Sequence, residues 1–207
     1  MRDLNEALAD IRNIRSQLAA GTQFRGLAPV MVAVTGMLAL GTAVLQSLWP
    51  EMLTPDARAL LDGWVVTAFA AGGLLGFAMI LRSRRYHGGM SGRMTLHILE
   101  RFLPAGVAGA ALALFITELV PEATWMLPGL WQVLLALAIF AAMGCLPRAI
   151  ALAGVWYFAA GMAVLAIASV DRSLSPWMMG IPFALGQFLV AGILHFAAEK
   201  NEADDDR

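Results

Sequence analysis

The sequence predicts an all-α integral membrane protein: a bundle of six spanning helices preceded by a cytoplasmic amphipathic helix. Of its 207 residues, 59% are hydrophobic and only 14% are charged, whereas an ordinary globular chain has about 25% charged residues. The mean hydropathy of +0.71 agrees with this. A formal net charge of −1 provides no basic field for nucleic acid, and a single cysteine cannot form an internal disulfide.

Six stretches are apolar enough to cross a bilayer, which takes about 20 residues of helix. Because lipid offers the backbone no hydrogen-bond partners, each stretch must form its own hydrogen bonds as a helix. None has Asp, Glu, Lys or Arg near its middle. Together they define a transmembrane domain over residues 27–197. The predicted spans are 27–49, 63–81, 103–120, 129–146, 149–170 and 177–196.

The distribution of Lys and Arg predicts that both termini lie in the cytoplasm. In that orientation 12 of the 14 basic residues are cytoplasmic, and only Arg58 and Arg172 lie outside, as the positive-inside rule requires. Five tryptophans fall near the predicted outer boundary, where an indole can bury its ring and keep its N–H hydrated. These are Trp49, Trp64, Trp125, Trp131 and Trp177.

Residues 1–22 form a separate cytoplasmic element whose apolar side chains recur at spacings of three and four, which predicts an amphipathic helix. Its acidic and basic residues are balanced, whereas a helix on a membrane surface is usually rich in Lys and Arg. We therefore expect its stripe, within residues 3–20, to pack on protein: its own bundle, a second copy or a cytoplasmic partner. At the other end, residues 198–207 form an acidic cytoplasmic tail.

The longest predicted loop, residues 82–101, is cytoplasmic, and its second half is expected to form a short amphipathic helix. Its arginines would attract anionic lipid headgroups, so membrane lipids are expected partners. They are Arg82, Arg84, Arg85, Arg93 and Arg101.

Two histidines lie at similar depth on the cytoplasmic side. Glu100 follows His97 by three residues and Glu199 follows His195 by four, so each pair shares a helix face. Two histidines and two carboxylates suit a divalent metal, and the two histidines could ligate a haem. The alternative is that these polar residues mark helix ends, and no other cofactor is indicated.

Gln187 is the deepest strongly polar side chain in the spans. It could hydrogen-bond to a neighbouring helix for about 0.6–2 kcal/mol, or it could contact a solute in a pore. Gly72 and Gly76 have the spacing that lets helices approach closely, and we expect the interface they serve to lie inside the bundle.

The outer side combines six acidic residues and two arginines with the five tryptophans. Carboxylates beside aromatic faces can hold a cation or an amine. The positive-inside bias alone also leaves an outer side acidic, so both interpretations stay open.

Spans one, three and five each have a proline near their cytoplasmic start, and spans two, four and six each have a tryptophan near their outer start. This pattern would suit three repeated helical hairpins. Both features are also general properties of membrane proteins.

Three segments carry a resemblance: RSRRYH at 82–87, WMLPGLWQ at 125–132 and LSPWMMGIPF at 174–183. They resemble a group of uncharacterised bacterial six-span inner-membrane proteins with a short N-terminal helix. The resemblance implies the same topology and a bacterial inner-membrane location, and it transfers no activity, cofactor or site residue.

The sequence has no G-x-S-x-G, H-E-x-x-H or P-loop motif, so we do not expect an enzyme. We expect a protein of binding or regulatory type that relays a membrane or lipid-soluble signal to a cytoplasmic partner. The alternatives are a small transporter or channel for a neutral or hydrophobic solute, and a metal- or haem-binding membrane protein.

Overall fold

Long α-helices form most of the chain that the computed structural model describes, which is residues 29–85, 89–144 and 146–205, with side chains for 29–81, 100–144 and 146–199. The amphipathic helix predicted over residues 1–22 lies outside this part. Six segments are long and apolar enough to span a membrane, as predicted. The long helices are α1 (Pro29–Leu48), α2 (Ala57–Arg85), α3 (Gly89–Leu119), α4 (Leu127–Ala142), α5 (Ala151–Asp171) and α6 (Trp177–Asp205).

Several helix boundaries differ from the prediction. The α2 helix starts at Ala57 because Asp56 caps it: the Asp56 Oδ1 accepts a hydrogen bond of 2.7 Å from the Ala59 N–H. The loop predicted over 82–101 is shorter in the structure, because α2 continues to Arg85 and α3 begins at Gly89. The helix expected in the second half of that loop is continuous with the third span through Pro104. The α6 helix extends beyond the predicted end at 196 and into the acidic tail.

The helices alternate in direction and give the bundle two ends. The tryptophan end holds residues 49–56, 120–126 and 172–176, and the arginine end holds the last turn of α2, the first turn of α3 and residues 143–144 and 146–150. Helices that follow one another in the chain are in contact, and α6 returns to pack along α1. The most extensive contacts join α4 to α5 and α1 to α6, so the closest pairs are not the three hairpins suggested by the sequence.

The α4–α5 pair depends on two facing glycines. A Cβ added at Gly129 would lie 2.8 Å from the Gly161 carbonyl oxygen, and a Cβ at Gly161 would lie 2.8 Å from the Gly129 oxygen. Gly72 and Gly76 are different: no atom of the described residues lies within 4 Å of a Cβ added at either position. Within the described part of the bundle, these two glycines therefore do not serve the internal interface that was predicted for them.

A proline inside α6 determines how α4 attaches to it. Pro182 has no N–H, so the Met178 carbonyl, four residues earlier, loses its partner within the helix. The Gln132 Nε2 of α4 donates to that carbonyl at 2.9 Å. Since an unpaired carbonyl in lipid is costly, this side chain replaces the missing bond.

Two side chains of α5 bond the same stretch of α6. The Trp156 Nε1 donates to the Pro182 carbonyl at 2.9 Å, and the fully buried Tyr157 hydroxyl donates to the Phe183 carbonyl at 3.0 Å. Three hydrogen bonds from two neighbouring helices therefore hold α6 around its proline.

We predict that Gln132→Leu destabilises the bundle by about 1–2 kcal/mol, because it leaves the Met178 carbonyl without a donor. In a Pro182→Ala background the same substitution should cost much less, since the residue 182 N–H can again bond that carbonyl. Unfolding of all four proteins in mixed micelles measures this coupling. Equal costs of Gln132→Leu in the two backgrounds would contradict the role given to Gln132.

Candidate functional site

The tryptophan end contains an open cavity of about 720 Å³, lined by residues from all three loops of that end. Its size lies within the range typical of small-molecule sites, about 300–1,000 Å³. Half of the lining residues are exposed, but Gln46, Leu60 and Thr124 are buried, at 3%, 5% and 7% exposure. We call the whole the tryptophan-end cavity and these three residues its floor.

Gln46 has one amide atom bonded and one free. Its Nε2 donates to the Leu60 carbonyl at 3.0 Å. Its buried Oε1 has no hydrogen-bond partner among the residues that the structure describes. The side chain occupies a notch in α2, because a Cβ at Gly63 would collide with the Gln46 Nε2. The sequence thus positions this amide with one N–H of its Nε2 bonded and its Oε1 unpaired.

Three hydroxyl groups of the lining also have their donors committed. Those of Ser47, Thr54 and Thr124 each donate to a backbone carbonyl three or four residues earlier, at 2.7 Å for Ser47 and 3.2 Å for Thr54. A hydroxyl has one proton and two lone pairs, so each of these groups retains acceptor capacity only.

The helix starts around the cavity are capped locally. The Met178 N–H donates to the Ser175 carbonyl at 3.0 Å, and the Trp177 N–H to the Ser175 hydroxyl oxygen at 3.4 Å. The first turn of α2 is capped by Asp56 in the same way. The N–H groups of Ala59, Trp177 and Met178 are therefore already bonded and are not free to bind an anion.

Three exposed ionisable side chains line the cavity: Asp56, Glu122 and Arg172. Arg172 follows the end of α5 in the left-handed region, with φ 49. Trp125 is half-buried and Trp177 is 40% exposed. The lining thus combines two carboxylates, one guanidinium and two indoles.

The structure corrects the prediction of an interfacial tryptophan belt at two positions. Trp64 is 3% exposed within the core, and its Nε1 has no bond to any described residue. The Trp131 Nε1 donates to the Gly109 carbonyl of α3 at 3.1 Å. Neither N–H faces water, whereas Trp49 is 53% exposed, as expected for the belt.

Gln187 lies half-buried between three helices. Its side chain lies near Tyr157 of α5, and its Cβ would lie 3.1 Å from a Cβ at Gly36 in α1. Contact with a solute at Gln187 stays a prediction.

The predicted metal site is only partly described. The His195 Nε2 lies 3.4 Å from the Glu199 Oε1, and both side chains are 60% exposed. Glu100 is exposed on α3, and the side chain of His97 lies outside the described residues. Among the described side chains, no three His, Cys, Asp or Glu residues group together. The full set with His97 stays a prediction.

Of the predicted headgroup-binding arginines, only Arg101 has a described side chain, and it is exposed on α3. The other four fall within the backbone of α2 and α3 but outside the described side chains. Lipid binding by this group stays a prediction.

Gln46 was not predicted as a site residue, although the spacing of the small residues in α1 could have identified it. The buried residues of α1 include Val32, Gly36, Ala39, Ala43 and Gln46, spaced by three and four. A stripe of small residues at helical spacing marks the packed face of a membrane helix. Following that stripe to its end would have placed Gln46 on the buried side.

We predict that Gly63→Ala lowers the stability of the folded bundle by about 1–3 kcal/mol, because the new methyl group displaces the Gln46 amide from its notch. Gly41→Ala is the matched control, since a Cβ at Gly41 meets nothing within 4 Å. Thermal unfolding in detergent compares the two. In a Gln46→Ala background, Gly63→Ala should become nearly neutral, and a persistent loss would contradict this packing.

Comparisons with protein-family models, with curated proteins and with solved structures find no match. The function of this chain must therefore be argued from its own residues.

Proposed function

We propose that this chain is a multi-pass protein of the bacterial inner membrane, with both termini in the cytoplasm, that relays a membrane or lipid-soluble signal to a cytoplasmic partner. Binding and regulation, rather than catalysis, are its proposed role. One observation supports the proposal most directly. The two most exposed helices, α2 and α3, are the two that lead into the arginine-rich segment 82–101.

The exposure of α2 and α3 supports a signal that comes from the bilayer. In the apolar windows of these helices only 17% and 11% of the residues are buried, against 44% for the segment Pro121–Ala142. The two helices contact each other little. Among the described residues, no atom lies within 4 Å of a Cβ added at Gly72, Gly73 or Gly106, which leaves room for lipid or a lipid-soluble compound at their backbones.

The rest of the bundle is held more firmly and provides a frame. The α4–α5 pair is in close backbone contact at Gly129 and Gly161, and both helices bond the backbone of α6. A change in bilayer thickness or composition would therefore move α2 and α3 more readily than the frame. Their movement would displace the arginine-rich segment, where a partner could detect it.

The kinds of polar group found within the spans, which are hydroxyls and amides rather than charged side chains, favour this role over ion-coupled transport. Such transport uses ionisable side chains in the membrane, and the predicted spans lack Asp, Glu, Lys and Arg near their middles. The buried Tyr157 hydroxyl and Gln132 amide both bond backbone carbonyls, which is a structural use. The proposed partner-binding elements are the arginine-rich segment and residues 3–20.

The proposed orientation predicts which end of the bundle a membrane-impermeant maleimide can reach. In a Cys145→Ala background, Ser173→Cys at the tryptophan end should be labelled in intact cells. Arg148→Cys at the arginine end should be labelled only after lysis. Both positions are exposed, so the reverse pattern would contradict the positive-inside assignment.

The proposed relay predicts that bilayer thickness changes the distance between α2 and α3. Spin labels at Phe77 and Leu103, which are 61% and 59% exposed, should change separation between nanodiscs of short-chain and long-chain lipids. Labels at Leu137 and Val155 on the frame are the matched control and should keep their separation. Equal behaviour of the two pairs would contradict a movable α2–α3 pair.

A deletion tests the cytoplasmic half of the same proposal. Removing residues 1–20 should abolish crosslinking to the cytoplasmic partner without changing the melting temperature of the bundle. If every crosslinked protein remained, the relay would be wrong.

A further inference from the structure

We propose that the tryptophan-end cavity binds a small organic amine in its ammonium form. The ammonium group would donate to the Gln46 Oε1 and to the carboxylates of Asp56 and Glu122. This site lies at the opposite end of the bundle from the arginine-rich segment, so the inference does not depend on the proposed relay.

The hydrogen-bond inventory of the cavity favours a ligand rich in donors. The Gln46 Nε2 and the hydroxyls of Ser47, Thr54 and Thr124 already donate to protein carbonyls. The three hydroxyls therefore offer only acceptor lone pairs, and Gln46 offers its Oε1 beside the second N–H of its amide. An ammonium group has three donors and no acceptor, and it therefore complements this lining.

The unpaired oxygen of Gln46 points independently to a ligand. Gln46 is 3% exposed, and its Oε1 is bonded to no described residue. A buried acceptor without a partner is energetically unfavourable, and native proteins rarely keep one without a role. The same side chain belongs to the cavity floor, so a donor bound in the cavity would be next to the amide.

The charges and the aromatic residues select an amine over a neutral donor. Two carboxylates line the cavity, against the single guanidinium of Arg172. At the same end Arg58 is paired with Glu118 at 2.9 Å, so it does not offset the lining carboxylates. Trp125 and Trp177 supply indoles, the aromatic groups that attract cations most strongly. The net negative lining fits a singly charged amine.

Binding of phenethylamine to the full chain in nanodiscs of zwitterionic lipid tests the proposal, with isothermal calorimetry as the readout and protein-free nanodiscs as the blank. We expect saturable binding that exceeds the blank. Gln46→Leu and Glu122→Gln should each weaken it by about tenfold or more, because each removes an acceptor for a charged donor.

Two matched variants separate this site from a general effect on the fold. Gln132→Leu removes another buried glutamine with an unpaired Oε1, but this residue does not line the cavity. Glu51→Gln removes an exposed carboxylate outside the lining. Both should bind phenethylamine within about twofold of the unmodified chain. Glu122 is exposed, so Glu122→Gln tests the site without disturbing the core.

Four results would overturn the proposal. The first is binding no greater than the blank. The second is an equal loss in Gln46→Leu and Gln132→Leu. The third is equally tight binding of uncharged 2-phenylethanol, and the fourth is tighter binding of phenylalanine, which would make Arg172 and a ligand carboxylate the main contacts.

Discussion

The constraint on which the bundle depends most is that every backbone polar group must find a partner in lipid. Pro182 breaks the ladder of α6 and frees the Met178 carbonyl. The Gln132 amide supplies the missing donor from α4, and Tyr157 bonds the next stretch of the same helix from α5. The relative positions of α4, α5 and α6 are thus determined by hydrogen bonds, because lipid provides little hydrophobic force between helices.

This constraint divides the six helices into two groups. The α4, α5 and α6 helices share these hydrogen bonds, and α1 packs along α6, with Gly36 against the Ala184 carbonyl oxygen at 3.2 Å. Among the described side chains of α2, none beyond Thr67 forms a hydrogen bond with another helix, and no described atom lies within 4 Å of a Cβ added at Gly72 or Gly76. At its tryptophan end, however, α2 is held by Gln46 on Leu60. Its attachment therefore weakens along its length, which makes the tryptophan end the fixed end of this helix.

The sequence was sufficient to predict the spans, since hydropathy over about 20 residues depends on no tertiary contact. It was insufficient for the helix ends and for the site. The start of α2 depends on Asp56 as a cap, and apolar periodicity does not include that residue. Trp64 looked interfacial from its place near a span start, yet it is buried because it packs in the core with Met179 of α6. The cavity joins residues far apart in the chain, so its acidic residues and tryptophans could be predicted as a group but not its floor at Gln46.

Buried polar side chains differ in hydrogen bonding between the tryptophan end and the middle of the bundle. The three buried side-chain atoms without a partner in the described part of the chain belong to Gln46, Trp64 and Gln132, all of them toward the tryptophan end. Deeper in the spans, the Thr35 hydroxyl bonds the Val32 carbonyl and the Tyr157 hydroxyl bonds the Phe183 carbonyl. All three atoms are buried, but near a membrane surface such an atom lies closer to water and to solvent-borne ligands than a group at the midplane does. Buried polar atoms without a hydrogen-bond partner therefore cost this fold least at the tryptophan end. One of them, the Gln46 Oε1, belongs to the floor of a cavity that is open to solvent.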